Sequence, residues 1–573
     1  MFEVWAPEAA TVEVEIGGVR HPMTPGAGGW WSARVPGAGH GTDYRFRLDG
    51  GEPLPDPRSR WQPEGIFGPS RVYEHDRFAW GDGLWRGRGL PGAVLYELHV
   101  GTFTPEGTFE GAIEKLEHLV ALGVDLVEIM PVPPVPGGRN WGYDGVDLWA
   151  VTGNYGGPDG LKRFVDACHR RGLGVILDVV HNHLGPSGDF LASFGPYFHP
   201  SASSFWGRAV NLDGPGSDEV RRYLIGNALG WLRDYHLDGL RLDAVHALRD
   251  SRAVHLLEEM ATEVEALSAA VGRPLTLIAE SDLNDPRLVT PREAGGYGLA
   301  AVWNDDVHHA LHAAVTGERH GYYADFAADP AAALAKVLTS GYYHDGTHSS
   351  FRGRVHGRPA GHVPGHRFVC SAQNHDQIGN RPEGDRMDPR ALRVAAGLLL
   401  TSPFTLMLFM GEEWGTRTPF LFFTDHVEAR LREGEAERRR REFAGFGYDD
   451  WAGKAPDPGE ELTFVRSKLD WGELEEEPHQ AHLAWYRALI ALRRARPELT
   501  DPRLDGVRAE HGATWLVVHR GTLRVVAAFG PEPFTVRPGP GRVLLASDPS
   551  VTLEGEELFL PPRSLAVLEV APA

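Results

Sequence analysis

Residues Gly174–His183 read GVILDVVHNH. A continuous apolar, β-branched run opens on glycine and closes on Asp178, with His181 and His183 just beyond. Such a run is a strand buried on both faces, the pattern of a parallel sheet. The stretch before it, GLKRFVDACHRRG (Gly160–Gly172), has helical spacing, and so does SDEVRRYLIGNALGWLRDYH (Ser217–His236) after it. The same alternation extends in both directions. Strand runs are Ala93–Val100, Val124–Val132, Asp238–Val245, Leu275–Ser281, Leu299–Asp305, Arg367–Asp376 and Phe404–Glu413, and amphipathic stretches include Gly111–Gly123, Ala253–Leu267 and His479–Arg496. Eight strands separated by helices predict an α/β fold, a (β/α)8 TIM barrel.

The flanks differ in texture. Phe2–Pro7, Val12–Gly18, Gly29–Val35 and Thr42–Leu48 alternate with period two between Gly- and Pro-rich turns, as do Ala513–Arg520, Leu523–Gly530 and Arg563–Val570. A β-sandwich is therefore expected at each end. The expected domains are 1–88, an N-terminal β-sandwich, 89–500, the barrel with a short insertion after its third strand, and 501–573, a C-terminal β-sandwich.

Composition narrows the ligand. The chain has 573 residues, and 57 Lys plus Arg against 78 Asp plus Glu leave a net charge of −21, which argues against a nucleic-acid partner. The basic run Arg438–Arg441 is flanked by Glu435, Glu437 and Glu442 and reads as a solvated helix face. Two cysteines, Cys168 and Cys370, exclude a disulfide framework and a cysteine zinc site. Met1–Val12 carries no signal-peptide pattern, and the apolar run Ala395–Met410 is too short and broken to span a bilayer, so no membrane partner and a cytoplasmic location are expected. Aromatics in number (16 Trp, 15 Tyr, 25 Phe) beside an excess of carboxylates suit a carbohydrate ligand.

Catalytic groups of such barrels sit at the C-terminal ends of the strands. The third strand ends in Asp178–His183, the fourth in Arg241-Leu242-Asp243, the fifth in Ala279-Glu280-Ser281 and the seventh in Asn374-His375-Asp376-Gln377. Carboxylates converging on one rim repel one another and lose hydration, so a fold has no structural need to gather them. Glycoside hydrolysis uses such a set: one carboxyl protonates the leaving oxygen while another attacks or activates water. Arg241 and Asp243 share a strand face, so the guanidinium holds Asp243 ionised as a nucleophile requires. Glu280, after an apolar run and near other carboxylates, is expected to hold its proton and act as the acid. Asp376 is the third carboxylate, gripping sugar hydroxyls, and His183 and His375 are placed to donate to the same ring.

The segments DVVHNH, GLRLDAV, IAES and QNHDQ resemble, in order and spacing, the four signature regions of the α-amylase family of glycoside hydrolases. The resemblance implies a retaining double displacement with Asp243 as nucleophile, Glu280 as acid/base and Asp376 as transition-state stabiliser. It puts Asp178, His183, Arg241 and His375 around the −1 sugar, with Tyr143 stacking there and Asp144 beside it. LPDPRSRWQPEG (54–65), Phe194–Phe198, Ala209–Arg221, Ile278–Val289, Val302–Glu318 and Phe351–Gly357 are similar to the maltooligosyltrehalose trehalohydrolase branch of that family. That branch cuts the α-1,4 bond beside a terminal trehalose unit, so maltooligosyltrehalose and related α-glucans are the implied substrates, and the synthase that isomerises the glucan end is the implied functional partner. An N-terminal module like that of branching and debranching enzymes is also implied.

Asn182 matches the asparagine many amylases use for calcium, but the segment after His183 is short and lacks an acidic cage. No metal and no cofactor are expected, and Asn182 reads as a structural hydrogen-bonding group. Asp282, Asp305, Asp306 and His246 are candidates for the leaving-group side. Three alternatives stay open: a branching or debranching enzyme on the same scaffold, a silent glucan-binding protein, and a metal site formed by Asp305, His308 and His312 on one helix face.

Overall fold

The computed structural model of the protein describes residues 1–204, 206–446 and 455–571. Strands β1 (Val94–Leu98), β2 (Leu126–Ile129), β3 (Gly174–Val179), β4 (Gly239–Leu242), β5 (Thr276–Ala279), β6 (Ala301–Trp303), β7 (Phe368–Ser371) and β8 (Thr405–Phe409) run parallel in chain order, and β8 pairs back to β1 to close a barrel. The eight-stranded barrel expected from the sequence is therefore present. Its strands stop earlier than the apolar runs. β4 ends at Leu242 because Ala244 enters the left-handed region with φ 39°. β8 ends at Phe409 because Gly411 turns the chain at φ 82°, putting Glu412 and Glu413 in a 3₁₀ turn instead of the strand.

Period-two alternation sorts the barrel interior into layers. Leu95, Leu126, Ile176, Ile278, Ala301, Val369 and Met407 form an apolar layer. Two residues further along their strands stand Glu97, Glu128, Asp178, Glu280 and Trp303, with Arg241 at the same level on β4. The barrel is thus oily at its centre and charged toward its C-terminal mouth.

The longer helices are α1 (Gly157–Arg170), α2 (Ser217–Asp234), α3 (Leu256–Val271), α4 (Asp305–Thr316), α5 (Pro330–Ser340), α6 (Pro389–Leu400), α7 (Ala429–Gly445) and α8 (Glu477–Ala495). The amphipathic stretch Gly111–Gly123 is two short helices that meet at Lys115. α7 corrects one expectation. Arg440 and Arg441 pair with Glu437 on a solvated face, but Arg438 is half-buried and Arg439 buried, because the helix lies on the loop after β7.

At the N-terminus a three-stranded and a four-stranded sheet face each other, with Phe2 against Tyr44 at 4.8 Å between ring centroids. At the C-terminus a five-stranded and a three-stranded sheet enclose Val517, Val526, Leu558, Leu560, Ala566 and Leu568. The first of these units sits on the barrel through Trp5 against Tyr197 and Tyr73 Oη donating to Asp159.

The chain between the N-terminal sheets and the barrel is fastened by a buried imidazole. His169 on α1 donates from Nδ1 to Asp82 and from Nε2 to Asp238, each at 2.9 Å, and the Trp85 indole stacks on it at 4.7 Å. Burial opposes the charge on His169, but the bonds to Asp238 and Asp82 outweigh it and raise its pKa above the usual 6.5. Its stabilising contribution is full below the unfolded value and fades as pH rises through the raised folded one. His169→Gln should cost on the order of 3 kcal/mol at pH 6. That gap from wild type, read from urea unfolding, should shrink as pH increases, and a gap independent of pH would contradict the arrangement.

Candidate active site

The strand ends expected to converge do so. Asp178 and Arg241 are the last residues but one of β3 and β4, Asp243 follows β4, Glu280 follows β5, and His375 and Asp376 follow β7. Arg241 is fully buried at their centre. Its Nη1 lies 2.9 Å from both oxygens of Asp178 and 2.7 Å from Asp243 Oδ1, and its guanidinium sits over the Trp303 ring at 4.3 Å. Glu280 Oε2 is 3.7 Å from Arg241 Nη2, a looser approach.

Asp243 is held from two more sides. Asn182 Nδ2 donates to its Oδ2 at 2.7 Å and to its carbonyl at 2.9 Å. The oxygen of the same amide accepts from His183 Nδ1 at 2.6 Å, and His183 Nε2 donates to the Tyr143 carbonyl at 3.0 Å. Asn182 therefore has the hydrogen-bonding role that the sequence suggested. Both nitrogens of His183 are engaged by the protein, so the bonds that the sequence reading assigned to a bound ring go to protein groups instead.

The two carboxyls are driven apart electrically. Burial raises Asp243, but Arg241, His183 and the Asn182 hydrogen bond outweigh it and hold the carboxyl below its usual range. Burial raises Glu280 to about 8, Arg241 pulling the other way while Asp243, Asp376 and Asp305 push it further up. Glu280 Oε2 accepts from the N–H of Ala244. The left-handed backbone at Ala244, which costs a residue with a Cβ about 1 kcal/mol, turns that N–H toward Glu280 directly after the Asp243 side chain.

Two glutamates inside the barrel were not singled out in the sequence. Glu97 accepts from the His375 N–H at 3.0 Å and from His375 Nδ1 at 2.5 Å. Burial opposes the charge on His375, yet Asp376 and Glu97 raise it to about 9, so it is cationic at neutral pH. His375 Nε2 lies 2.8 Å from Tyr143 Oη, which donates to Asp178 Oδ2 at 2.6 Å. Glu128 is buried, and burial, Glu97 and Asp178 push its carboxyl well up. A charged residue inside an apolar strand, in register with the polar layer, is the signal that would have revealed both.

Above this layer opens a cavity of about 560 Å³. Tyr143, Asp144, His183, Asp243, Glu280, His375 and Asp376 line it, with Asp178 and Arg241 beneath. Tyr143 stacks on His375, and Asp144 accepts from Asn140 Nδ2 at 2.6 Å. The wall also contains groups that were not anticipated: Trp141, Trp206, Tyr322, Arg381, Asn380 and, from α7, Arg439. Asn380 and Arg381 continue the loop after β7 and Trp141 stands two residues before Tyr143, whereas Trp206, Tyr322 and Arg439 come from segments remote in sequence from the strand ends.

The four leaving-group candidates do not line this cavity. Asp306 is buried, and its Oδ2 accepts from Asn284 Nδ2 and the N–H groups of Tyr343 and His344 at 2.7 to 2.8 Å, which makes it a loop support. Asp282 pairs with Arg352 at 2.9 Å. Asp305 is raised to about 7 by burial and by Asp282, Asp376 and Asp306, so it bears on the site through its field. The His246 ring lies 6.1 Å from Trp206, which does reach the wall. On α4, His308 stacks on His312, and His312 pairs with Glu318 at 3.0 Å. Among the described residues no three His, Cys, Asp or Glu side chains form a group able to hold a metal ion.

Residues 71–196 match the family model described as alpha amylase, catalytic domain, and residues 502–567 match a domain of unknown function. The malto-oligosyltrehalose trehalohydrolase of Rhizobium sp. (strain M-11) is 53% identical over 99% of this chain and 97% of its own. That of Arthrobacter ramosus is 54% identical over 99% of each chain. A crystal structure of a Salmonella typhimurium protein described as an alpha amylase is 38% identical, with TM-score 0.91 over 99% of this chain and 97% of its own.

One electrostatic consequence is measurable on the protein alone. Asp243→Asn removes a charge that holds Glu280 up, so the Glu280 carboxyl, followed by isotope-edited infrared titration, should titrate lower than in wild type. An unchanged titration would contradict the coupling.

Proposed function

The chain belongs to the malto-oligosyltrehalose trehalohydrolases, glycoside hydrolases of the α-amylase family, and from that premise we propose how its cleft cuts the α-1,4 bond next to a terminal trehalose unit. The observation that carries the reading is the placement of two neighbouring carboxyls around one buried guanidinium, Asp243 at 2.7 Å and held down, Glu280 at 3.7 Å and held up.

In the first step an oxygen of Asp243 attacks the anomeric carbon of the −1 glucosyl unit. The bond to the leaving oxygen breaks, and Glu280 gives that oxygen its proton, so trehalose departs with a free hydroxyl. In the second step Glu280, now a carboxylate, takes a proton from water, and the water oxygen attacks the same carbon and displaces Asp243. Two inversions retain the α configuration. Asp376 stabilises the oxocarbenium-like charge between the steps, and Tyr143 closes one side of the ring. Asp178 keeps Arg241 in place: burial raises it to about 6, against the pull of Arg241, so it remains ionised at neutral pH. Trehalose has no reducing end, so each turnover creates one new reducing end, on the shortened glucan.

The same reading assigns residues 1–88 to a glucan-contacting module, 89–500 to catalysis and 501–573 to a C-terminal module. It makes a synthase of trehalose-capped glucans the functional partner. Among the described residues no helix is long and apolar enough to cross a membrane, and two unpaired buried cysteines suit the reducing cytosol. The branching, debranching and silent-binding alternatives are not favoured, since relatives that match almost end to end are named trehalohydrolases.

A trehalose-capped maltooligosaccharide should yield free trehalose, and plain maltooligosaccharide of equal length should be cut far more slowly. Asp243→Asn should lower kcat by about 10⁴-fold or more. Because Glu280 must be protonated to act, wild-type kcat/KM should fall as pH rises through about 8. Glu280→Gln should remove that limb and lower kcat/KM by about 10²–10⁴-fold. Trehalose release at wild-type rate by either variant would refute the assignment.

A further inference from the structure

Asp376 is tethered differently from the other two carboxylates. About two-fifths of its side chain is exposed, against 13% for Asp243 and 18% for Glu280. His375 Nε2 lies 3.6 Å from its Oδ2, and Asn380 Nδ2 donates to its Oδ1 at 3.1 Å. Its orientation therefore depends on how Asn380 is held.

Asn380 is held from α7. Arg439 Nη1 donates to Asn380 Oδ1 at 2.8 Å, and Arg439 Nη2 donates to the Gly379 carbonyl at 2.8 Å. A guanidinium offers only donors, so the oxygen end of the amide must face Arg439 and the NH₂ end must face Asp376. The alternative amide orientation would set NH₂ against the guanidinium and oxygen against a carboxylate. Arg439 is itself fixed: it is buried, its guanidinium lies 4.4 Å from the Phe422 centroid, and Glu442 Oε2 accepts from its Nη1 at 3.2 Å. The opposite side of the loop is closed by Trp141. A Cβ added at Gly379 would come within 2.1 Å of that indole, so the backbone there lies tightly between Trp141 and Arg439.

We propose that Arg439 on α7, acting through the amide of Asn380, is a positioning residue that orients Asp376 toward the sugar ring. This rests on the reading of Asp376 as the stabilising carboxylate. It gives a reason for Arg439 to be buried while Arg440 and Arg441, which follow it, are solvated. It also makes a helix outside the strand ends part of the working geometry of the cleft.

The test is steady-state trehalose release from a trehalose-capped maltooligosaccharide by Arg439→Gln, Arg439→Lys, Asn380→Ala, Asp376→Asn and the doubles with Asp376→Asn. Asn380 is exposed, so its alanine variant should fold, and circular dichroism checks each protein. Arg439→Gln and Asn380→Ala should each lower kcat by about 10-fold or more while KM changes less than about threefold, since misplacement harms the chemical step more than binding. Arg439→Lys, which retains a donor for the amide oxygen, should recover part of the loss. In the Asp376→Asn background either change should cost less than about twofold further, because what they position is gone. Full-sized losses in that background would reduce Arg439 to a structural role and overturn the proposal. So would wild-type kcat in Asn380→Ala or Arg439→Gln beside an impaired Asp376→Asn. Wild-type kcat in Asp376→Asn would instead bring down the reading of Asp376, and the proposal with it.

Discussion

A guanidinium in the dry interior of a barrel is the constraint from which the cleft follows. Arg241 cannot shed its charge, and burying a lone cation costs several kcal/mol even after relaxation. The cost is offset by both oxygens of Asp178 and one of Asp243 gathered on Nη1, and by the face of Trp303. Those partners must stay ionised for the arrangement to hold. Glu280, 3.7 Å from the other nitrogen, is pushed up by burial and by the neighbouring carboxylates more than the same cation pulls it down. One fixed positive charge thus settles which carboxyl is bare and which keeps its proton, the pattern that separates nucleophile from acid.

The scaffold makes this arrangement rigid. Strands β1, β2, β3 and β5 each place an apolar residue in the central layer with a carboxylate two positions later, so the charged groups stand on packed hydrocarbon. The layer extends beyond the reacting groups. Glu97 holds His375, His375 meets Tyr143, and Tyr143 returns to Asp178. The backbone contributes at Ala244, where a left-handed turn ends β4 and offers its N–H to Glu280. A strand continued through Val245, as the apolar pattern suggested, would not make that turn.

What was legible in the sequence was what is local. Period-two runs ending in Asp178, Arg241, Asp243, Glu280 and Asp376 announced both the barrel and its charged rim, because in a barrel the chain order of the strands is also their spatial order. Less legible was the rest of the wall. Trp206, Tyr322 and Arg439 reach the cavity by long-range packing of loops and α7, which no periodicity encodes. Arg439 illustrates the limit: the arginines that follow it are solvated, and only the docking of α7 on Gly379 distinguishes it from them. Proximity in sequence misled in the other direction at Asp306, which follows β6 closely yet is taken up by the amides of Tyr343 and His344.

The central claim is that Asp243 bonds to the sugar while Glu280 only moves a proton. A 5-fluoro-maltosyl fluoride carries its own good leaving group, so it needs no acid for the first step but is slow to be released. Incubated with Glu280→Gln protein and followed by peptide mass spectrometry, it should leave one glycosyl adduct, on the peptide and residue of Asp243. An adduct on any other carboxylate, or none where Asp243 is intact and the protein folded, would contradict the account.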